Sequence, residues 1–133
     1  VYHGGVICGG CYKMKKLILL LLLILIGCSK EPVNRDNLNF RNGTFYILNS
    51  DQPYSGPVFG LYQNGRLKSE GNIKDGLLHG PYKTYYYNGQ VNEEGTYKDG
   101  KLDGLFKVYN SENGQLKLEG TWKDGELIES KEY

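Results

Sequence analysis

The sequence predicts an all-β fold, an elongated and curled single-layer meander of antiparallel β-hairpin repeats, and three observations carry that reading. Asp-Gly pairs recur at Asp75-Gly76, Asp99-Gly100 and Asp124-Gly125, stepping by 24 and then 25 residues, and Asn-Gly pairs at Asn64-Gly65, Asn88-Gly89 and Asn113-Gly114 keep the same steps. A fixed period in the range of roughly 20–50 residues is the mark of a repeat architecture. Between the pairs, residues alternate apolar and polar with period two, as in a strand with one packed and one wet face. Both dipeptides supply the positive φ values of a type I′ hairpin turn, so consecutive strands are expected to run antiparallel.

Taken in order, the chain begins with residues 1–13, which precede Met14 and read as an upstream mis-start extension. Cys8 and Cys11 have C-x-x-C spacing with His3 nearby, but a metal or redox site needs a fold around it, and these residues lie ahead of a secretion signal. Residues 14–27 are that signal: Met14-Lys15-Lys16, ten apolar residues at 17–26, then Gly27. Ten apolar residues are too few to cross a bilayer, which takes about 20. Leu25-Ile26-Gly27-Cys28 resembles the lipobox of bacterial lipoproteins, which implies lipidation of Cys28 and a mature chain beginning there; the bland alternatives are an uncleaved apolar anchor or a plain signal peptide. Stable anchoring needs two lipid signals, which several acyl chains on one cysteine exceed. A processed chain would keep Cys28 as its single thiol, so stability must come from packing rather than disulfides.

Residues 28–43 are polar, contain Pro32 and show no apolar period, and are expected to form a tether ahead of a β domain at 44–133. Asp51-Gln52-Pro53-Tyr54-Ser55-Gly56 lacks the Lys-Asp-Gly turn of the later copies and reads as an N-terminal cap. In the copies themselves, Leu67, Ser69, Gly71 and Ile73 fall on one face, followed by Val91, Glu93, Gly95 and Tyr97, then Leu116, Leu118, Gly120 and Trp122. Ser111-Glu112 lengthens one copy and predicts a bulge or wider loop. Glycine returns at fixed inward positions in two sets, Gly71, Gly95, Gly120 and Gly56, Gly80, Gly104. Glycine weakens a strand, so its return implies room for a neighbouring ring to lie over the backbone. Tyr82, Tyr97, Phe106 and Trp122 are expected to supply most of the buried area, with their polar tips at the rim.

The pattern E-G-x-[YW]-K-D-G-x-L-x-G-x-[FY], present at 94–106 and more loosely at 70–82, resembles the MORN repeat, and the 24–25 residue step is similar to bacterial MORN-variant antitoxins of the YwqK family. The resemblance covers about residues 56–128 and makes Gly71, Asp75, Gly76, Gly80, Gly95, Asp99, Gly100, Gly104, Gly120, Trp122, Asp124 and Gly125 the structural repeat positions.

Chemistry is sparse. The recurrent Asp75, Asp99 and Asp124 sit in turn dipeptides, and Glu70, Glu94 and Glu119 fall on the polar face beside lysines, so neither set is expected to bind a metal. His79 is the only histidine after His3, and Ser55 and Asp103 occupy its equivalent positions, so it reads as a solvated loop residue outside any triad. No phosphate-binding glycine loop occurs. The expectation is a non-enzyme without cofactor. A net charge of +1 overall, and of −3 over residues 44–133 (10 Lys and Arg against 13 Asp and Glu), gives no basic footprint for nucleic acid.

What stands out is a row of rings on the polar face: Tyr85, Tyr87 and Tyr109, with Leu105. Cross-strand pairing would explain them, and so would a tyrosine-rich contact patch for a protein partner. The expected function is therefore a lipid-anchored envelope protein whose repeats bind an unidentified protein; the resemblance to bacterial lipoproteins further implies the outer membrane if the cell is Gram-negative, because Ser29 rather than Asp follows Cys28. The alternative implied by the resemblance is an antitoxin or immunity protein masking a toxin. A second alternative is a lipid-binding module, which the acidic balance disfavours.

Overall fold

Each Asp-Gly pair folds the chain back as its residue types dictate. In the computed structural model, which describes residues 29–133, Asp75, Asp99 and Asp124 have φ of 50°, 49° and 49°, and the glycines that follow have 83°, 81° and 86°. Two successive positive φ values make these type I′ turns, whose twist matches that of the strands they join. The upstream extension, the signal segment and Cys28 lie outside the described residues.

The Asn-Gly pairs behave differently. Only the glycine takes positive φ, at Gly65 (81°), Gly89 (88°) and Gly114 (68°). Gly65 N–H donates to Tyr62 C=O at 2.9 Å and Tyr62 N–H to Arg66 C=O at 2.8 Å, which makes a three-residue loop. Asn64 Oδ1 accepts the N–H of Arg66, and Asn88 and Asn113 repeat the arrangement on Gln90 and Gln115. The asparagine thus serves as a side-chain acceptor rather than a left-handed residue. In the third copy Ser111-Glu112 adds a residue, and the loop widens so that Asn110 N–H reaches Gln115 C=O.

The strands are β1 (Val33–Asn34), β2 (Leu38–Arg41), β3 (Thr44–Ile47), β4 (Gly56–Leu61), β5 (Leu67–Lys74), β6 (Leu77–Leu78), β7 (Gly80–Tyr85), β8 (Val91–Lys98), β9 (Lys101–Tyr109), β10 (Leu116–Lys123) and β11 (Glu126–Glu132). β1, β4, β5, β7, β8, β9, β10 and β11 lie side by side in one open sheet, with β6 also on β5, and every pairing is antiparallel except β1 on β4. The predicted all-β meander of hairpins is what forms.

Residues 33–43 depart from the expected tether. β1 pairs with β4, and β2 and β3 make their own hairpin across Asn42-Gly43, a further type I′ turn at φ 51° and 78°. Apolar burial accounts for this: Val33 and Leu38 pack against the cluster Phe45, Tyr54, Val58 and Ile73, the only buried apolar residues among those described. The expected cap is real and larger than the sequence suggested. Tyr54 and Phe45 trade backbone bonds with Gly76, while Arg35 Nη1 donates to Tyr82 Oη at 3.0 Å.

Beyond the cap the sheet is one layer thick. Tyr82, Tyr97, Phe106 and Trp122 are half-buried rather than the centre of a core, and Trp122 Nε1 is enclosed without a partner instead of reaching a wet rim. The two glycine sets also have different causes. A Cβ on Gly71 would lie 2.6 Å from Tyr82 Cδ2, and one on Gly95 2.8 Å from Phe106 Cδ2, so rings do occupy the space glycine leaves. At Gly80 a Cβ would meet nothing within 4 Å, and at Gly104 only Thr96 at 3.7 Å; what these positions need is φ of 93° and 121°. Room is not their reason. Each sits where the strand register shifts, Gly80 between the β6 and β7 pairings on β5 and Gly104 within the β8 and β9 pairing, and only glycine adopts that backbone without strain.

Candidate functional site

The face opposite the rings and glycines is organised by register. Glu70 pairs with Lys83, Lys83 with Glu94, Glu94 with Lys107, Lys107 with Glu119 and Glu119 with Lys131. One residue from each of six strands therefore forms a row of strictly alternating charge, with Phe59 before it on β4. Lys83 Nζ lies 3.5 Å from Glu94 Oε2 and Lys107 Nζ 3.7 Å from Glu119 Oε2. The side chains remain 29–44% exposed, so each pair is worth only a few tenths to about 1 kcal/mol. Their weight lies in the pattern they present.

Two tyrosines lock onto this row. Tyr85 Oη donates to Glu70 Oε1 and Tyr109 Oη to Glu94 Oε1, each at 2.5 Å and each spanning 15 residues. Burial, then the Glu70 carboxylate, pushes the Tyr85 phenol up to about 12; the Glu94 carboxylate, then burial, does the same for Tyr109. The Tyr109 hydroxyl in turn lowers the Glu94 carboxyl, as a hydrogen bond to the charged form must. Tyr133 stands two residues after Lys131, as Tyr85 and Tyr109 stand after Lys83 and Lys107. It is 62% exposed, with Lys131 Nζ 4.4 Å from its ring centre.

Of the residues singled out from sequence, Tyr85, Leu105 and Tyr109 come together on this face. Tyr85 and Tyr109 are half-buried, and Leu105 is 46% exposed. Tyr87 does not join them. The three-residue Asn-Gly loop starts before Asn88, so Tyr87 sits in the turn, 60% exposed and edge-on to Tyr62 at 5.4 Å. Shallow grooves recur between the rows. One of about 770 Å³ is lined by Pro32, Pro57, Phe59, Glu70, Pro81 and Lys83, and one of about 190 Å³ a repeat further on by Pro81, Lys83, Glu94, Thr96, Leu105 and Lys107.

Sequence reasoning missed several ties between copies. Gly76, Gly100 and Gly125 each donate a backbone N–H at 2.8 Å to the copy before, to Tyr54, Leu78 and Leu102. Tyr62 and Tyr86 donate to the carbonyls of Tyr85 and Tyr109, at 2.7 and 2.8 Å. His79 is not a free loop residue: Ser55 Oγ, His79 Nδ1 and Asp103 Oδ2 are equivalent acceptors for the N–H of Asp75, Asp99 and Asp124. Lys123 at 3.0 Å holds the Asp103 carboxyl below its ordinary range. The signal was in the sequence, since 55, 79 and 103 are 24 apart and all three side chains accept hydrogen bonds.

Among the described residues no group of three or more His, Cys, Asp or Glu is placed to hold a metal. Residues 78–99 and 102–124 match the MORN repeat variant family, two consecutive copies within the region of resemblance. Neither a curated protein nor a solved structure matches the chain. Over these copies the molecule is similar to a repeat-based interaction or binding module.

Proposed function

We propose that this MORN-like sheet is a non-enzymatic, lipid-anchored envelope module that binds a protein through its charged, tyrosine-bearing face. The observation that carries the reading is the row Glu70, Lys83, Glu94, Lys107, Glu119, Lys131, flanked by Leu105, Tyr85 and Tyr109. Alternating charge gives orientation and partner selection, while tyrosine gives contact area at low entropic cost. A surface of interspersed sign does not hold an anionic lipid head group as a basic patch does, which leaves lipid binding as the weaker reading. The anchor rests on Met14 to Cys28, with Cys28 as lipid carrier, and on Ser29 for outer-membrane sorting in a Gram-negative cell.

The test is capture from membranes with the full chain and a Tyr85→Ala/Leu105→Ala variant, both residues lying on this face. The reading requires capture to drop at least about tenfold while the β circular dichroism is unchanged; equal capture contradicts it. Cys28→Ala should move the protein from the membrane to the soluble fraction. The antitoxin reading keeps the same face and names its occupant. It gains if a neighbouring gene encodes a toxin that kills cells lacking this protein, and it fails if deletion beside that gene is tolerated.

A further inference from the structure

We infer that this face docks onto a second copy of the chain, face to face, about a twofold axis running along the strands between β8 and β9. The inference rests on the reading of this face as a protein-binding surface and names its occupant from the order of the charges. Six residues alternate across β5, β7, β8, β9, β10 and β11. Reversal turns an alternating row of even length into its own complement. Rotation about this axis lays Glu70 over the second copy's Lys131, Lys83 over its Glu119 and Glu94 over its Lys107, and the same three pairs form from the other side. All six pairs are opposite in sign. A row of odd length would lay each charge on its own kind, and so would parallel stacking in register.

The neighbouring positions obey the same operation. Leu105 on β9 comes to lie over Thr96 on β8, which brings the two copies of Leu105 side by side across the axis and covers a residue now 46% exposed. Tyr85, Tyr109 and Tyr133 come from alternate strands, β7, β9 and the residue after β11. Rotation places their backbones over β10, β8 and β5, which carry no ring at that level, while the Tyr109 ring, leaning from β9 to Glu94 on β8, meets its own counterpart at the axis. A self-complementary patch is what an isologous interface requires.

The row spans about 24 Å, five strand spacings of about 4.8 Å. A patch of that width and a few residues deep is at the small end of specific interfaces, so the dimer is expected to dissociate on dilution. Twisted sheets stacked face to face diverge away from their centre. Glu94 and Lys107, next to the axis, are therefore the pairs that decide the outcome.

Sedimentation of the full chain in detergent across a concentration series tests this with Glu94→Lys and Lys107→Glu. Each variant alone sets like charges against each other twice at the axis and is expected to dimerise at least tenfold more weakly than the parent. Mixed in equal amounts, the two variants should form a heterodimer at the parent's affinity. The introduced lysine then faces the introduced glutamate, and native Lys107 faces native Glu94. A role confined to one chain predicts no rescue on mixing, so variants that simply misfold are told apart from variants that lose the contact. A monomeric parent up to about 1 mM, single variants that dimerise as well as the parent, or a mixture no better than either variant each overturns the inference. If dimerisation fails while capture still depends on Tyr85 and Leu105, the second copy is the wrong occupant and the protein-binding reading stands. If capture and dimerisation both fail, both fall.

Discussion

The two ends of the sheet are made from the same 24-residue unit but held together differently. At the N-terminal end the β2–β3 hairpin covers the inner face, and Phe45, Tyr54, Val58 and Ile73 are buried there. From Leu77 to Tyr133 only Gly120 is buried, and β11 is exposed along its whole length. The difference teaches that the repeat alone does not make a core. Cover does, and where cover is missing the copies depend on rings lying over glycines and on hydrogen bonds to the neighbouring copy, as nearest-neighbour coupling in a repeat array requires.

The largest test of this contrast is the same truncation made at both ends. Phe45→Ala should cost about 3–5 kcal/mol in urea unfolding, as for a buried aromatic. Phe106→Ala, half-buried on β9, should cost roughly 1–2 kcal/mol, because less area leaves water on folding. Equal losses would remove the distinction between capped and uncapped ends.

A second comparison separates the two glycine sets. Gly95→Ala puts a Cβ against the Phe106 ring and should cost about 1–3 kcal/mol, much of it recovered when Phe106 is also shortened to Leu. Gly80→Ala should cost about 1–2 kcal/mol by forcing a positive φ on alanine, and trimming a neighbour should recover none of it. Rescue at both sites, or at neither, would show that one cause serves both sets.

Smaller effects sharpen the picture of the open end. His79→Ala removes the acceptor for Asp99 N–H and should cost about 0.5–1.5 kcal/mol, with His79→Ser restoring part of it, since Ser55 fills the role one copy earlier. An alkaline titration followed by tyrosine absorbance reads the phenols directly. Tyr85 and Tyr109 should ionise near 12. Because their folded values are raised, the stability they contribute is complete below pH about 10 and is lost as pH climbs toward 12. The depressed Glu94 carboxyl acts in the opposite sense: its contribution is present above the unfolded value of about 4.5 and fades as pH falls through its lower folded value. Tyr85→Phe/Tyr109→Phe should remove the late phase near 12; a late phase of unchanged size would place those protons elsewhere.

Much of this architecture was legible in residue order. The Asp-Gly turns, the period-two strands and the ring-over-glycine packing at Gly71 and Gly95 followed from composition and spacing. Three features did not, each for a local reason. Gly80 and Gly104 looked like Gly71 because spacing does not report φ. Val33, Leu38 and the Asn42-Gly43 turn are off the repeat period and sit in a polar stretch, so the start of the cap read as a tether. Tyr87 continues the alternation of β7 in the sequence, but a three-residue loop begins where a two-residue turn would have left strand. The candidate face was half visible: Lys83, Lys107 and Lys131 stand at steps of 24, yet their pairing with Glu70, Glu94 and Glu119 depends on register, which the turns fix.

Native-state hydrogen exchange at three equivalent amides puts the central contrast to its most direct test. Gly76, Gly100 and Gly125 each donate an N–H at 2.8 Å to the copy before, so the bonds themselves do not distinguish them. Protection should fall in the order Gly76, Gly100, Gly125, with the first close to global stability and the last opening locally. Equal protection at all three, or the reverse order, would contradict an array that is held from its covered end.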